Sequence, residues 1–120
     1  MNEDVRFSAG TGIAIKIPAH EFERTVKFYR DVIGLPVIRE AADSLVLAFG
    51  DKQLWLDRIE HFTKAEIWLE LKADDVAGAR EHIRASGIVR PEEIETRPGD
   101  STGFWVTSPC NMIHRISEEE

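Results

Sequence analysis

The chain has 120 residues, of which 42% are hydrophobic and 31% are charged, and this is the composition of one globular domain. Fifteen lysines and arginines against 22 aspartates and glutamates give a formal net charge of −7, which repels nucleic acid and anionic lipid. No apolar run approaches the roughly 20 residues of a membrane-spanning helix. We therefore exclude nucleic-acid-binding and membrane proteins. Because Cys110 is the only cysteine and no signal-peptide pattern opens the sequence, we expect a cytoplasmic protein.

The first half of the chain predicts a strand, a helix and three further strands. Isoleucines alternate with other residues from Gly12 to Pro18, which is the period of a half-buried strand. Apolar residues then recur at helical spacing from Phe22 to Ile33, and Gly34 is placed to end that helix. Turn-forming residues separate three short runs, which predict an antiparallel meander. These runs are Val37 to Glu40, Leu45 to Phe49 and Gln53 to Ile59.

The second half repeats this order of elements. Alternating residues from Glu66 to Lys72 predict a strand, and a helical pattern from Val76 to Ser86 ends at Gly87. A single shift along the chain superimposes Ile17 on Leu71. A βαβββ unit of this size is too small to bury a sheet face alone, so we expect the two copies to pack together. The remaining predicted strands are Glu93 to Arg97, Gly103 to Thr107 and Asn111 to Ser117.

We assign residues 12–117 to a single domain with repeats at 12–60 and 65–117. Residues 1–11 show no sustained period and are expected to be disordered, and the chain finishes in an acidic tail at 118–120. No linker or low-complexity segment divides the two repeats, so we treat them as halves of one unit of folding.

Four segments carry a resemblance to a known family. They are Ile17 to Arg24, Phe28 to Leu35, Ala73 to Val76 and Ser108 to Ile113. The sequence resembles the glyoxalase, bleomycin-resistance and extradiol-dioxygenase superfamily, called the vicinal oxygen chelate fold. One turn departs from the family pattern, because Cys110 and Asn111 stand where its members carry Asp and Gly. The resemblance implies an α+β fold in which two βαβββ repeats form curved mixed sheets around a concave pocket, with the helices outside.

Alternation along the strands predicts which side chains face that pocket. The isoleucines and leucines of the two repeat-opening strands are expected to cover the two helices; they are Ile13, Ile15, Ile17, Ile67, Leu69 and Leu71. The residues of opposite parity then point into the pocket. This inner set consists of Ala14, Lys16, Gln53, Trp55, Asp57, Glu66, Trp68, Glu70, Ile113, Arg115 and Ser117.

The inner set bears on whether the chain binds a metal ion. The resemblance puts the ligand positions of the metal-using members at Ala14, Trp55, Trp68 and Arg115. Alanine has no donor atom, the indole nitrogen has no available lone pair, and guanidinium is positively charged. We therefore expect no cofactor at these positions. The alternative is a substitute divalent-metal site built from Asp57, Glu66, Glu70 and His61.

The same set predicts a binding site for a small molecule, with no catalytic residue assigned. Its residues are Lys16, Trp55, Asp57, Trp68, Glu70, Trp105 and Arg115. The tryptophans would form flat walls, and the arginine could bind a carboxylate or phosphate through two hydrogen bonds, which suits an aromatic anion. A cationic ligand is the other option, because aromatic faces and carboxylates attract cations.

These observations favour a metal-free protein that binds or sequesters a small molecule and forms a homodimer. Two other interpretations stay open. One is a metal-dependent enzyme of the glyoxalase or dioxygenase type, which would need non-standard ligands. The other is an accessory subunit whose tryptophans simply fill the pocket, so that the sheet edges serve only in dimerisation.

Overall fold

The computed structural model describes residues 5–87, 103–110 and 112–118, with seven strands and two α-helices among them. The strands are β1 (Phe7–Pro18), β2 (Val37–Ala41), β3 (Ser44–Phe49), β4 (Lys52–Ile59), β5 (Glu66–Ala73), β6 (Gly103–Thr107) and β7 (Ile113–Glu118). The helices are α1 (Ala19–Val26) and α2 (Val76–Ala85), and a π-helical segment, Lys27–Val32, continues from α1. No helix of the described part is long and apolar enough to cross a membrane.

The chain divides into two compact units. The first unit is Thr11–Trp68, and the second unit combines Met1–Gly10 with Leu69–Glu120. Both contain parallel and antiparallel strand pairs together with one α-helix, so the α+β class with mixed sheets is confirmed. The single-domain assignment stays a prediction.

In the first unit the strands lie in the order β2, β3, β4, β1. The pairs β2 with β3 and β3 with β4 are antiparallel, which confirms the predicted meander, and β1 runs parallel to β4. In that parallel pair Ala14 lies opposite Trp55 and Lys16 lies opposite Asp57. The predicted inner residues of the two strands are therefore neighbours.

The core of the first unit lies between its sheet and its helix. Its fully buried members are Ile17, Leu45, Leu47, Leu54 and Leu56. Partly buried side chains pack against them from β1, the helix and the loop that follows, namely Ile13, Ile15, Phe22, Val26, Tyr29 and Leu35. The isoleucines of β1 thus cover the first helix as predicted, and the residues of opposite parity lie on the other face of the sheet.

The first helix begins earlier than its apolar pattern indicated, and it continues as a π-helical segment over the second part of that pattern. It begins at Ala19, directly after Pro18, because proline is tolerated where a helix starts. Gly34 has a φ of +86°, as expected of a glycine just past a helix end. On the exposed surface of this region, Arg30 donates from Nε to Asp31 Oδ1 at 2.9 Å, and this hydrogen bond lowers the pKa of the Asp31 carboxyl.

In the second unit β7 lies between β5, to which it is parallel, and β6, to which it is antiparallel. The buried core is Ala73, Val76, Ala79, Phe104, Val106 and Ile116, with Val5, Leu71 and Ile83 against it. Leu71 therefore covers α2 as predicted. The prediction for Ile67 is wrong, since its side chain is 46% exposed. Helix α2 starts only after Ala73, at the far end of β5, and covers that end of the strand.

Strand β1 begins at Phe7 rather than at Gly12, so it includes residues that we expected to be disordered. The small residues before Gly12 hide the alternation that would have predicted a strand. Two hydrogen bonds join Arg6, the residue before this strand, to Asp74. Arg6 N donates to Asp74 Oδ1 at 3.0 Å, and Asp74 N donates to the Arg6 carbonyl at 3.2 Å. The end of the last strand also differs from the prediction, because β7 reaches Glu118 rather than Ser117. The strand predicted at Glu93 to Arg97 lies outside the described residues.

The side chain of Asp75 caps the N-terminus of helix α2, and its contribution to stability can be measured. Asp75 accepts a hydrogen bond from Gly78 N at 3.0 Å and so satisfies one of the free amides of the first turn. We expect Asp75→Ala to lower the free energy of unfolding by about 1 kcal/mol. Asp75→Asn keeps an N-capping oxygen and should lose little. Urea denaturation of the two variants makes the comparison, and equal losses would mean that the cap adds no stability.

Candidate functional site

A buried ion pair lies on the face of the first unit's sheet that is opposite its core. Lys16 Nζ is 2.8 Å from Asp57 Oδ2, and only 7% of the lysine side chain and 17% of the aspartate side chain are exposed. Ser44, the partner of Asp57 on β3, donates from its hydroxyl to Oδ1 at 2.9 Å. Both carboxylate oxygens are therefore hydrogen-bonded, which offsets the cost of removing the charges from water.

Trp68 extends this arrangement. The Lys16 ammonium lies 4.4 Å from the centroid of the Trp68 ring, within the range of a cation–π interaction. The indole Nε1 donates to Glu66 Oε1 at 2.9 Å, so its single polar atom is satisfied. We call Lys16, Ser44, Asp57, Glu66 and Trp68 the Lys16 cluster. It is a patch in which one buried cation is held by a carboxylate and an aromatic face.

A second tryptophan on the same face also has a basic partner. The guanidinium carbon of Arg39 lies 4.9 Å from the Trp55 ring centroid. Arg39 pairs with Val46, and Val46 pairs with Trp55, so the two residues occupy one row across three strands. The sequence did not single out Arg39, because a register shift between Val37 and Arg39 breaks the simple alternation of β2.

The second unit carries the other predicted residues. Arg115 lies on β7 between Glu70 of β5 and Trp105 of β6, each its register partner. Its guanidinium carbon is 5.4 Å from the Trp105 ring centroid. Lys72, which sequence reasoning missed, is 3.6 Å from the Glu70 carboxylate and 3.3 Å from the Ser117 hydroxyl. Lys72 lies two residues after Glu70 on β5, so the alternation of the strand could have placed it on the same face.

The structure thus groups the predicted site residues within each unit. Lys16 contacts both Asp57 and Trp68 in the first unit, with Trp55 on the same sheet face. In the second unit Glu70, Trp105 and Arg115 share one row. All three tryptophans of the chain have a basic side chain against the ring: Trp68 with Lys16, Trp55 with Arg39 and Trp105 with Arg115. A single pocket that joins all seven residues stays a prediction.

The donor atoms near the ligand positions that the sequence resemblance implies do not fit a divalent metal ion. Both oxygens of Asp57 accept from side chains of the Lys16 cluster, and Glu66 accepts from the indole of Trp68. His61 is exposed and packs edge-on against Phe62, with ring centroids 5.1 Å apart. Among residues 5–87, 103–110 and 112–118, no group of three or more His, Cys, Asp or Glu is placed to hold a metal. We derive no chemical step through a metal.

Two of the surface clefts formed by described residues lie on the first unit, and neither includes a predicted site residue. One, of about 360 Å³, is lined by the start of α1 together with Ala42 and Arg58. The other, of about 310 Å³, lies along α1 and the π-helical segment, where Phe28 and Tyr29 line it. Both belong to the helix side, away from the sheet face that holds the Lys16 cluster.

Comparison with known proteins gives matches in structure. No protein-family model and no curated protein matches the sequence. A Mn(II)-bound glyoxalase from Novosphingobium aromaticivorans is similar, with a TM-score of 0.71 and 23% identity over 95% of this chain, which spans only 40% of that protein. A glyoxalase/bleomycin resistance protein/dioxygenase superfamily member from Vibrio splendidus 12B01 has a TM-score of 0.65 and 17% identity, covering 96% of this chain and 99% of its own. For methylmalonyl-CoA epimerase from Mycobacterium tuberculosis the TM-score is 0.65 and the identity 13%, over 93% of this chain and 88% of the epimerase.

Proposed function

We propose, for a chain that has the fold of the glyoxalase/bleomycin resistance protein/dioxygenase superfamily, that it binds or sequesters a small aromatic anion without a divalent metal ion. The supporting observation is the pairing of each tryptophan with a basic side chain. In the Trp55–Arg39 pair the indole is partly exposed, so a flat apolar surface and a positive charge lie within a few ångströms of each other; Trp68 and Trp105 are only 7% and 8% exposed and would present an edge of the ring. A ligand with an aromatic ring and a carboxylate or phenolate complements both the surface and the charge.

The pairing also favours an anion over a cation. A cationic ligand would stack on an indole face, but Lys16 and Arg39 already lie against two of these faces. An incoming cation would have to displace a residue of the chain or bind beside a like charge. An anion instead gains from the basic group that is already present. The formal net charge of −7 opposes anion binding only weakly, because physiological salt screens the charges that lie more than about 8 Å from the ligand.

Lys16 supplies a positive charge to the first unit without a metal. Its ammonium is fixed between the Asp57 carboxylate and the Trp68 ring and is almost fully removed from water. Because the dielectric around buried charges is low, the dipole of the Lys16–Asp57 pair, with its positive end at the ammonium, acts more strongly on a nearby ligand than an exposed ion pair does. This supports a binding site that contains an internal cation and needs no divalent metal ion.

The binding proposal is tested by calorimetric titration of chelator-treated protein with benzoate, benzyl alcohol and benzylammonium. The three probes share a ring and differ in charge. We expect benzoate to bind at least about tenfold more tightly than benzyl alcohol, since a charge-assisted hydrogen bond contributes more than a kilocalorie per mole. Benzylammonium binding as tightly as benzoate would overturn the proposed ligand charge. The expected homodimer is a separate prediction, which sedimentation equilibrium tests.

A further inference from the structure

A glycine lies directly under the guanidinium of Arg115. A Cβ atom added at Gly103 would be 2.6 Å from Cζ, Nη1 and Nη2 of Arg115, which is far inside van der Waals contact. Gly103 is not among the described glycines with positive φ, so its backbone does not itself require glycine. Glycine is unfavourable inside a strand, and there it marks a close approach of other atoms. Here the approaching group is the head of an arginine.

The position of Gly103 is fixed from a second direction. Its carbonyl accepts a hydrogen bond from Arg80 Nη2 of α2 at 3.1 Å. The Arg80 guanidinium also lies 5.1 Å from the ring of Phe104, a residue of the buried core. Because helix and core both hold this end of β6, the strand cannot easily move away from a side chain added at Gly103. An alanine would therefore displace Arg115 rather than the strand.

We propose that Gly103 is a positioning residue that seats the Arg115 guanidinium beside Trp105, so that the pair binds the planar carboxylate of the ligand. The assignment of a ligand to this pair rests on the proposed function. The guanidinium is held between the backbone at Gly103 and the Trp105 ring, 5.4 Å from the ring centroid. An arginine whose plane is fixed presents its paired N–H groups in a set direction, which suits bidentate binding of a carboxylate.

We call the position of the Arg115 guanidinium between Gly103 and Trp105 the seat. It is tested with the anionic quencher iodide in the variant Trp55→Phe/Trp68→Phe, in which Trp105 is the only tryptophan. A positive charge beside an indole concentrates iodide there, whereas neutral acrylamide does not respond to it. We expect Gly103→Ala to lower the ratio of iodide to acrylamide quenching by about twofold, and Arg115→Met to lower it equally. If the ratio is unchanged in Gly103→Ala, the seat does not exist.

A double-mutant cycle separates positioning from general damage to the fold. If Gly103 acts only through Arg115, Gly103→Ala has no effect on the quenching ratio in the Arg115→Met background. An equal effect in both backgrounds would overturn the proposal. In the protein with all three tryptophans, the Nε–Hε chemical shift of Arg115 provides an independent comparison. It should move in Gly103→Ala, and no movement would contradict the seat.

Benzoate distinguishes failure of the seat from failure of the proposed function. Gly103→Ala should weaken benzoate binding at the Arg115–Trp105 pair about tenfold and leave benzyl alcohol unaffected, because only the carboxylate uses the guanidinium. Equal weakening of both probes would contradict a role for the seat in carboxylate recognition. If wild-type protein binds no benzoate while the iodide cycle gives the expected result, the proposed function fails and Gly103 still positions Arg115.

Discussion

Replacing Asp57 by Asn is expected to lower the free energy of unfolding by about 3 kcal/mol, because removing one partner of a buried ion pair deprives a buried charge of its carboxylate. The charge left behind is the Lys16 ammonium, whose side chain is 7% exposed. The Trp68 ring remains against it, but a cation–π contact does not replace a carboxylate. The Ser44 hydroxyl also keeps only an amide as its partner. Urea denaturation of wild type and variant measures the loss.

Asp43→Asn is the matched control for this experiment. Asp43 also pairs with a basic residue of the first unit, Arg58, at 3.6 Å, but 70% of its side chain is exposed. An exposed pair contributes about 0 to 1 kcal/mol, so this variant should stay within that range of wild type. If Asp57→Asn lowered the free energy of unfolding no more than Asp43→Asn does, the Lys16–Asp57 ion pair would not contribute to stability as a buried pair.

Truncation of Trp68 to Ala is expected to weaken benzoate binding at the Lys16–Trp68 pair of the first unit by about tenfold to a hundredfold, corresponding to about 1 to 3 kcal/mol. The variant removes the aromatic face against Lys16 and the N–H group that holds Glu66. The ligand would lose an aromatic contact, and the lysine would lose its contact with the indole ring. Calorimetry with benzoate measures the affinity, and circular dichroism checks that the variant is folded.

Trp68→Phe separates the two contributions of this residue. Phenylalanine keeps an aromatic face for Lys16 and the ligand but cannot donate to Glu66. We expect it to keep most of the affinity for benzoate, because the proposal assigns binding to the ring and its neighbouring cation. Benzoate affinity that is the same in wild type and Trp68→Ala would remove Trp68 from the site.

The sequence predicted the elements and the faces of the sheets because both depend on local patterns. The isoleucines of β1 repeat with the period of a strand, and their burial against α1 leaves Lys16 on the opposite face. The same parity on β4 selects Asp57, so the placement of these two residues on one face needed no knowledge of the fold. Their pairing at 2.8 Å needed the register of β1 and β4, which is a long-range property.

The residues that sequence reasoning missed depend on such long-range properties. Arg39 reaches the row of Trp55 through a register shift in β2, and no local pattern encodes that shift. Ser44 joins the Lys16 cluster only because β3 sets it opposite Asp57. Ile67 shows that a correct alternation does not guarantee burial, since this residue is 46% exposed. Local period assigns a face, and tertiary packing decides whether that face is covered.

The most direct test of the central claim is a benzoate titration of chelator-treated protein, repeated after addition of Mn(II) or Zn(II), with the metal content measured in each sample. The account predicts the same benzoate affinity in all samples and no stoichiometric metal, because indole, guanidinium and an occupied carboxylate offer no divalent site. Benzoate binding that appears only with one tightly bound metal ion per chain would contradict it. That result would return the carboxylates Asp57, Glu66 and Glu70 to the role of metal ligands.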